Sequence, residues 1–221
     1  MWNNIGKPAL LVVSLLAPFV YLGLVWQQLP ETIPVHFDAQ MKPDSYGSKS
    51  ELIVMVSILA AVSLFVYALL TQLPRVDPKY RNDPSPGPME KLALSMVVFM
   101  SAIGIVIIYS TYNPMSSRIV FVLLGLLFSV IGYFIRDIKP NYFAGVRLPW
   151  TLESEDNWKK THLLTGKLWI WGGILFVIGS HLVGNDSLEA IFLTLVGILV
   201  LVPLVYSFWL FTQEKKTKGQ S

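Results

Sequence analysis

A polar segment that contains two tryptophans lies between long apolar stretches of this chain, at residues 139–166, KPNYFAGVRLPWTLESEDNWKKTHLLTG. Its side chains include Asn141, Arg147, Thr161 and His162, which can hydrogen-bond, bind an anion or transfer a proton. A connection that only joined two helices could be far shorter and would need none of these groups. Questions about function therefore concentrate on this segment.

His162 invites a catalytic interpretation, because histidine is the most frequent general base. A base needs a partner and a substrate cleft, and the nearby Glu153, Glu155 and Asp156 are typical of capping or solvated acids. The segment has no recognisable spacing of nucleophile and base, so we predict no catalytic residue. A membrane enzyme acting on lipid or peptide stays an alternative, and it requires Arg147 and His162 to converge on one pocket.

Metal and cofactor sites are weakly indicated. The chain has no cysteine, which excludes thiolate ligands and disulfides. His36 together with Asp38 or Asp44 could bind a metal, but one histidine with flexible carboxylates is a weak pattern, and a structural loop histidine is favoured. We predict no metal and no cofactor.

The composition places these residues in a membrane protein. Hydrophobic residues make up 53% of the chain and charged residues 14%. Six apolar stretches reach the ~20 residues that a spanning helix needs. They lie at 7–27, 52–72, 91–112, 118–136, 164–184 and 188–211. We therefore predict an all-α polytopic bundle of six transmembrane helices. Their cores contain no charged residue, which argues against an ion pathway, although a small transporter remains an alternative.

The distribution of Lys and Arg predicts the orientation. With both termini in the cytoplasm, the outer side keeps only Lys42, Lys49 and Arg118 of the 17 basic residues. The 139–166 segment is then a structured cytoplasmic loop, whereas His36 and His181 lie on the opposite side from His162. The net charge of +3 reflects orientation, so direct nucleic-acid binding is not expected.

Local patterns predict structure in the long connections. Thr32 to Phe37 favours a short strand in a small extracellular cap at 28–51, and Pro43 to Gly47 indicates a turn in which Gly47 takes a positive φ. Ser154 is a predicted N-cap for a helix that begins at Glu155 and continues into the fifth span. One face of that helix carries Trp158, Thr161, His162, Thr165 and Trp169.

Individual residues of the segment also have structural interpretations. Asn141 and Thr161 are expected to bond backbone groups, and Gly145 and Gly166 to permit a tight turn and close helix packing. Arg147 could serve a structural role or meet anionic headgroups. The tryptophans are interpreted as interfacial anchors at 150, 158, 169 and 171.

Three sequence regions are predicted. Residues 1–74 form an N-terminal unit with two spans, residues 75–90 a proline-rich cytoplasmic linker, and residues 91–221 a unit with four spans and the polar segment.

Two motifs carry a resemblance to known proteins. The polar segment resembles the signature of the SdpI family of bacterial membrane proteins. The matching residues are Asn141, Gly145, Arg147, Pro149, Trp150, Thr151, Trp158, Thr161, His162 and Gly166. The outer loop resembles a domain of unknown function that often precedes this signature. The matching residues are Pro30, Pro34, His36, Phe37, Asp44, Tyr46, Gly47 and Lys49. Met41 departs from the pattern, because relatives usually have glycine there.

The resemblance implies a multi-pass protein of the bacterial inner membrane that gives immunity against a secreted antimicrobial peptide toxin. The namesake of the family is also described as a receptor that holds a transcriptional repressor at the membrane. The implied partners are therefore the lipid bilayer, a peptide toxin and a cytoplasmic repressor. The class implied is a binding protein and not an enzyme.

Overall fold

A computed structural model describes residues 6–37, 43–78, 87–113 and 118–218. In these residues six helices are long and apolar enough to cross a membrane, which confirms the all-α polytopic prediction. They are α1 (Gly6–Val25), α2 (Glu51–Val76), α3 (Gly87–Ser110), α4 (Arg118–Ile135), α6 (Glu155–Ser180) and α7 (Asn185–Lys218). A 3₁₀ turn, Trp26–Gln28, extends α1, and the short α5 (Pro149–Glu153) precedes α6.

The chain divides into two compact units. Unit 1 comprises Met1–Leu69 and Ala93–Leu123, and unit 2 comprises Leu70–Leu92 and Leu124–Ser221. The division of the sequence at 75–90 stays a prediction. Within that stretch α2 reaches Val76 and α3 begins at Gly87, and the prolines between 79 and 86 lie outside the described residues.

A β-hairpin belongs to unit 1. Strand β1 (Thr32–Phe37) confirms the predicted strand, and it pairs antiparallel with β2 (Pro43–Ser48). Apolar side chains from the hairpin and from the helix ends form one buried cluster, Leu22, Val25, Leu29, Ile33, Leu52, Val56 and Ile108. The strand β1 is thereby anchored to α1, α2 and α3 of its own unit.

The predicted turn at Pro43 to Gly47 is wrong, because these residues form β2. Backbone groups of β1 need ladder partners, and Pro43 can begin the second strand because the first position requires no donor. Gly47 pairs with Ile33 and is not among the glycines with positive φ. A Cβ there would lie 2.2 Å from Oε1 of Glu51, which accepts the Ser48 N–H at 3.1 Å, so a side chain at this position would displace the flexible Glu51 carboxylate from that hydrogen bond. Met41 lies outside the described residues.

Glycines bring α4 and α6 together in unit 2. A Cβ on Gly132 would lie 2.7 Å from the backbone nitrogen of Ile170, and a Cβ on Gly173 only 2.3 Å from the carbonyl oxygen of Gly125. The close approach lets the Ser129 hydroxyl reach the Ile170 carbonyl at 3.1 Å. Small residues permit such backbone contact between membrane helices. The predicted packing role of Gly166 is confirmed, because its Cβ would lie 2.6 Å from the Gly132 carbonyl oxygen.

A tryptophan joins α6 to α7. Pro203 lies inside α7 and has no N–H for the carbonyl of Leu199, four residues earlier. The indole N–H of Trp169 donates to that carbonyl at 3.0 Å. A neighbouring helix thus satisfies the group that proline frees, as membrane helices require. The indole N–H of Trp169 is therefore used inside the protein, whereas the role of its half-buried ring as an interfacial anchor stays a prediction.

Substitution of Gly132 by valine tests the glycine contact. We expect Gly132→Val to destabilise the protein by about 1–3 kcal/mol, because the added atoms overlap the backbone of α6. Thermal unfolding of the detergent-solubilised protein measures this. Gly197→Val in α7 is the matched control, since a Cβ there meets nothing within 4 Å. Equal unfolding temperatures of the two variants would contradict the packing argument.

Candidate functional site

The loop between α4 and α5, residues 136–148, folds around Asn141. This side chain is 1% exposed, and its amide donates to the carbonyls of Lys139 at 2.9 Å and Ala144 at 3.0 Å. Its Oδ1 accepts the N–H groups of Phe143 at 2.9 Å and Ala144 at 2.6 Å. Every donor and both lone-pair positions are used, so Asn141 acts as the template of the turn. The predicted backbone-bonding role is confirmed.

His162 fastens this loop to α6. Its side chain is fully buried, with Nδ1 at 2.8 Å from the Trp158 carbonyl oxygen. The backbone N–H of Val146 donates to Nε2 at 3.0 Å. Because the carbonyl can only accept and the N–H can only donate, the imidazole is neutral and carries its proton on Nδ1.

Gly145 makes that contact possible. Its φ of 109° lies in a region that side chains disfavour, which confirms the predicted tight turn. A Cβ at this position would also lie 2.3 Å from Nε2 of His162. Both the conformation and the space beside His162 therefore require glycine.

Trp158 forms the second attachment of the loop. It is 1% exposed, and its indole N–H donates to the Ile138 carbonyl at 2.8 Å. Its ring stacks on His162 with centroids 4.0 Å apart. The interfacial-anchor interpretation is wrong for Trp158, because both its face and its polar atom are buried in the protein. Trp171 is 62% exposed, and its role as an anchor stays a prediction.

Pro149 and Thr151 explain why helix α5 begins at this point of the sequence. Pro149 occupies the first turn, where a missing N–H costs nothing. Thr151 is fully buried and accepts the Leu148 N–H at 2.9 Å, while its hydroxyl lies 2.8 Å from the Val146 carbonyl oxygen. The loop and α5 therefore share one hydrogen-bonded turn.

Polar contacts tie α5 and α6 to α7. Asn157 is fully buried, and its amide donates to the Ser207 carbonyl at 3.0 Å and accepts the Thr161 hydroxyl at 3.0 Å. The prediction that Thr161 bonds a backbone group is therefore wrong, because its hydroxyl donates to a side chain. The indole N–H of Trp150 lies 3.1 Å from the Ser207 hydroxyl. Ser154 caps α6 as predicted, because it accepts the Asn157 N–H at 3.2 Å, and its hydroxyl donates to Glu214 at 2.8 Å.

Two further contacts hold the exposed side of the loop. Arg147 donates to the Tyr142 carbonyl at 2.6 Å, which supports the structural interpretation of this residue. The Tyr142 N–H in turn donates to the carboxylate of Asp77 at 2.7 Å. Asp77 directly follows α2 and is 2% exposed, so it connects the end of α2 to the loop.

The arrangement of this loop site suits scaffolding more than chemistry. Both ring nitrogens of His162 are occupied by backbone groups, and the hydrogen bonds of Arg147 and His162 join them to different loop residues. A general base needs a free nitrogen within reach of substrate. The geometry therefore gives the enzyme alternative no support.

The outer-loop motif is a separate cluster in unit 1. His36 in β1 pairs with Asp44 in β2 at 2.6 Å, and Lys49 binds Glu31 at 2.7 Å while lying over the Trp26 ring. Tyr46 is 61% exposed. Pro30 is exposed, Pro34 is half-buried, and Phe37 ends β1 opposite Pro43.

The described residues contain no group of three His, Asp or Glu side chains that could hold a metal. Asp38, the other ligand candidate beside His36, lies outside them.

Sequence reasoning missed Asp77, Asn157, Ser207 and Glu214. Each comes from outside the motif or looks like an ordinary polar residue in it. For Asn157 a signal existed, since it lies one residue before Trp158 on the same helical face as Thr161. For Asp77 and Ser207 no local signal exists, because their partners are 65 and 50 residues away.

Comparisons with known proteins confirm the motif resemblance. Residues 137–207 match the SdpI/YfhL protein family, and residues 13–61 match a domain of unknown function, DUF1648. The first match includes Asn141, Trp158 and His162 of the loop site but not Asp77 or Glu214, and the second match includes the hairpin. No solved structure matches the chain.

Two curated relatives are similar to different extents. An uncharacterized protein of Archaeoglobus fulgidus is 37% identical over 89 residues, which are 38% of this chain and 48% of the relative. The chain thus aligns with about half the length of that relative. The immunity protein SdpI of Bacillus subtilis is 22% identical over 204 residues, 91% of this chain and 92% of the relative. With six apolar helices of spanning length among its described residues, the chain is a multi-pass cell membrane protein.

His162→Leu tests the attachment of the loop to α6. We expect a loss of about 1–3 kcal/mol in unfolding free energy, because the half-buried Val146 N–H loses its acceptor, the buried imidazole. Thermal unfolding in detergent measures it. His181→Leu is the matched control, since His181 is exposed at the end of α6. An equal effect of both substitutions would contradict the proposed attachment.

Asp77→Ala tests the outer contact of the loop. A hydrogen bond to a carboxylate contributes about 1.5–3 kcal/mol, so the loop should open at least about tenfold more often. Limited trypsin digestion after Arg147 reports this opening. Asp137→Ala is the control, because this carboxylate of the same loop is exposed and lies 3.9 Å from the Arg136 guanidinium. Unchanged cleavage in Asp77→Ala would show that the contact does not hold the loop.

Proposed function

From the premise that this chain joins a DUF1648 region to an SdpI/YfhL region, we propose that it is a membrane immunity protein. Its target would be a secreted, amphipathic antimicrobial peptide. The observation that carries the proposal is the similarity to an immunity protein over 92% of that relative's length, with the hairpin and the loop site in the same chain. An immunity protein of this kind acts by binding, so it needs surfaces rather than a catalytic centre.

The loop site supports a non-catalytic role. Asn141, Trp158 and His162 use their polar atoms for backbone contacts inside the protein. Such a site fixes the positions of α4, α6 and α7 in unit 2. The motif residues therefore serve the shape of the unit, and the exposed residues around them are available for partners.

The hairpin is the surface proposed to meet the toxin. The positive-inside prediction places it outside the cell, and all of β2 except half-buried Gly47 is exposed. Tyr46 offers an exposed aromatic ring next to the His36–Asp44 pair. Aromatic side chains of this kind often anchor protein contacts.

The opposite, cytoplasmic surface is proposed to meet a repressor protein where one is encoded. The tip of the loop exposes Tyr142 at 47% and Phe143 at 43%, beside exposed Arg147. Because the loop is bonded to α6, a shift of α6 on toxin binding would move this surface. This signalling role is secondary to immunity.

Expression in a sensitive bacterium tests the proposal. Cells that produce the protein should tolerate a higher concentration of at least one peptide from a panel of secreted amphipathic toxins than cells with an empty vector. Tyr46→Ser should lose most of the protection, because truncation of an anchoring aromatic residue costs about 2 kcal/mol or more. The minimal inhibitory concentration is the measurement.

Tyr142→Ser is the matched control, because it removes an exposed tyrosine from the predicted cytoplasmic side. It should keep the protection, with equal amounts of protein in the membrane. Protection that is absent in the wild type for every peptide would refute the immunity proposal. Protection lost only in Tyr142→Ser would refute the hairpin as the toxin surface.

A further inference from the structure

An open groove of about 700 Å³ lies in unit 2, between the end of α4, the start of the loop and the first turn of α6. Its charged lining residues are Arg136, Asp137, Lys139, Glu155, Asp156 and Lys159. The buried ring of Trp158 also borders the groove. The volume is in the range of small-ligand sites, and the lining carries three positive and three negative charges.

The groove lies where lipid headgroups are expected. Arg136 directly follows α4, and Glu155 is the first residue of α6, and both helices are candidate membrane spans. The ends of spanning helices coincide with the headgroup region of a bilayer. Ligands that reach this groove therefore include the headgroups of surrounding phospholipids.

Arg136 is held in position to bind an anion. Its aliphatic stem covers Gly166, since a Cβ there would lie 2.2 Å from its Cγ. Its guanidinium lies 4.8 Å from the Tyr133 ring centroid, and Nη2 is 3.9 Å from Asp137. Within the described part of the chain, its buried Nε has no hydrogen-bond acceptor. The side chain as a whole is 30% exposed, so the terminal nitrogens of the guanidinium fixed in this way can bind the oxygens of a phosphate.

The acidic residues that line the groove suit a primary ammonium group. Asp156 is already paired with Lys160 at 2.6 Å, whereas Glu155 is exposed at the rim. A carboxylate accepts hydrogen bonds from a primary ammonium, which a quaternary ammonium cannot donate. Recognition of a quaternary group would need open aromatic faces, and the Trp158 ring is stacked on His162 instead.

We propose that this groove binds a phospholipid headgroup that carries both a phosphate and a primary ammonium, as in phosphatidylethanolamine. Arg136 binds the phosphate, with Lys159 adding positive charge at the rim. Glu155 accepts hydrogen bonds from the ammonium. The bound lipid would bridge α4 and the start of α6 beside the loop site.

Native mass spectrometry of the full-length protein tests the proposal. After reconstitution in nanodiscs with equal amounts of ethanolamine and choline phospholipids of the same acyl chains, the protein should retain the ethanolamine lipid about fivefold more often. This ratio corresponds to about 1 kcal/mol, the net contribution of one hydrogen bond from the primary ammonium. Glu155→Gln should reduce the preference, because a neutral amide oxygen accepts a weaker hydrogen bond from an ammonium than a carboxylate does, and Arg136→Gln should reduce the retention of both lipids.

The controls separate this site from general lipid contact. Glu189→Gln removes an exposed acid in α7 and should keep the preference for the ethanolamine lipid. Lys215→Gln should also keep it, and this variant is the control for Lys159→Gln in the groove. Soluble phosphoethanolamine should compete if the groove reads the headgroup alone, and it should have no effect if the acyl chains are needed. Both outcomes keep the proposal and identify the source of the phosphate.

Three results would overturn it. The first is equal retention of the ethanolamine and choline lipids by the wild type. The second is a preference for anionic phosphatidylglycerol over both. The third is the same loss of preference in Glu155→Gln and Glu189→Gln.

Discussion

The imidazole of His162 is bonded on both sides, to the Trp158 carbonyl in its own helix and to the Val146 N–H in the loop. A fully buried polar ring is stable only when its donor and its acceptor both have partners. The loop backbone must therefore come to the ring, and Gly145 must lack a side chain for it to do so. The positions of the loop, α5 and α6 all depend on this one requirement.

The same constraint explains the contacts of unit 2 farther along the helices. Pro203 frees the Leu199 carbonyl in an apolar environment, and Trp169 from α6 binds it. Asn157 bonds the Ser207 carbonyl near the loop end of the same helix pair. Glycines at the α4–α6 contact allow Ser129 to reach a carbonyl across the interface. Each contact satisfies a polar group that lipid could not, so together they define one arrangement of α4, α6 and α7.

The use of these polar atoms inside the protein affects where a partner can bind. A motif whose hydrogen-bonding groups are used inside the protein leaves binding to the side chains around it. In unit 1 these are the exposed residues of the hairpin, including Tyr46. In unit 2 they are the exposed tip of the loop and the charged groove that begins at Arg136. Substitutions in the motif would therefore act first on folding, and substitutions in the surrounding surfaces would act on partners.

Local patterns in the sequence determined much of this architecture. The apolar stretches predicted the six spans, Ser154 predicted the start of α6, and Thr32 to Phe37 predicted β1, because hydropathy, capping and strand preference act over neighbouring residues. The motif also predicted that Asn141 and Gly145 shape a turn. Tertiary structure decided the rest. Pro43 to Ser48 became a strand because β1 needed a partner, and Trp158 and Trp169 became internal donors. Asp77 and Ser207 joined the site across long separations, since buried polar groups must find partners wherever the fold places them.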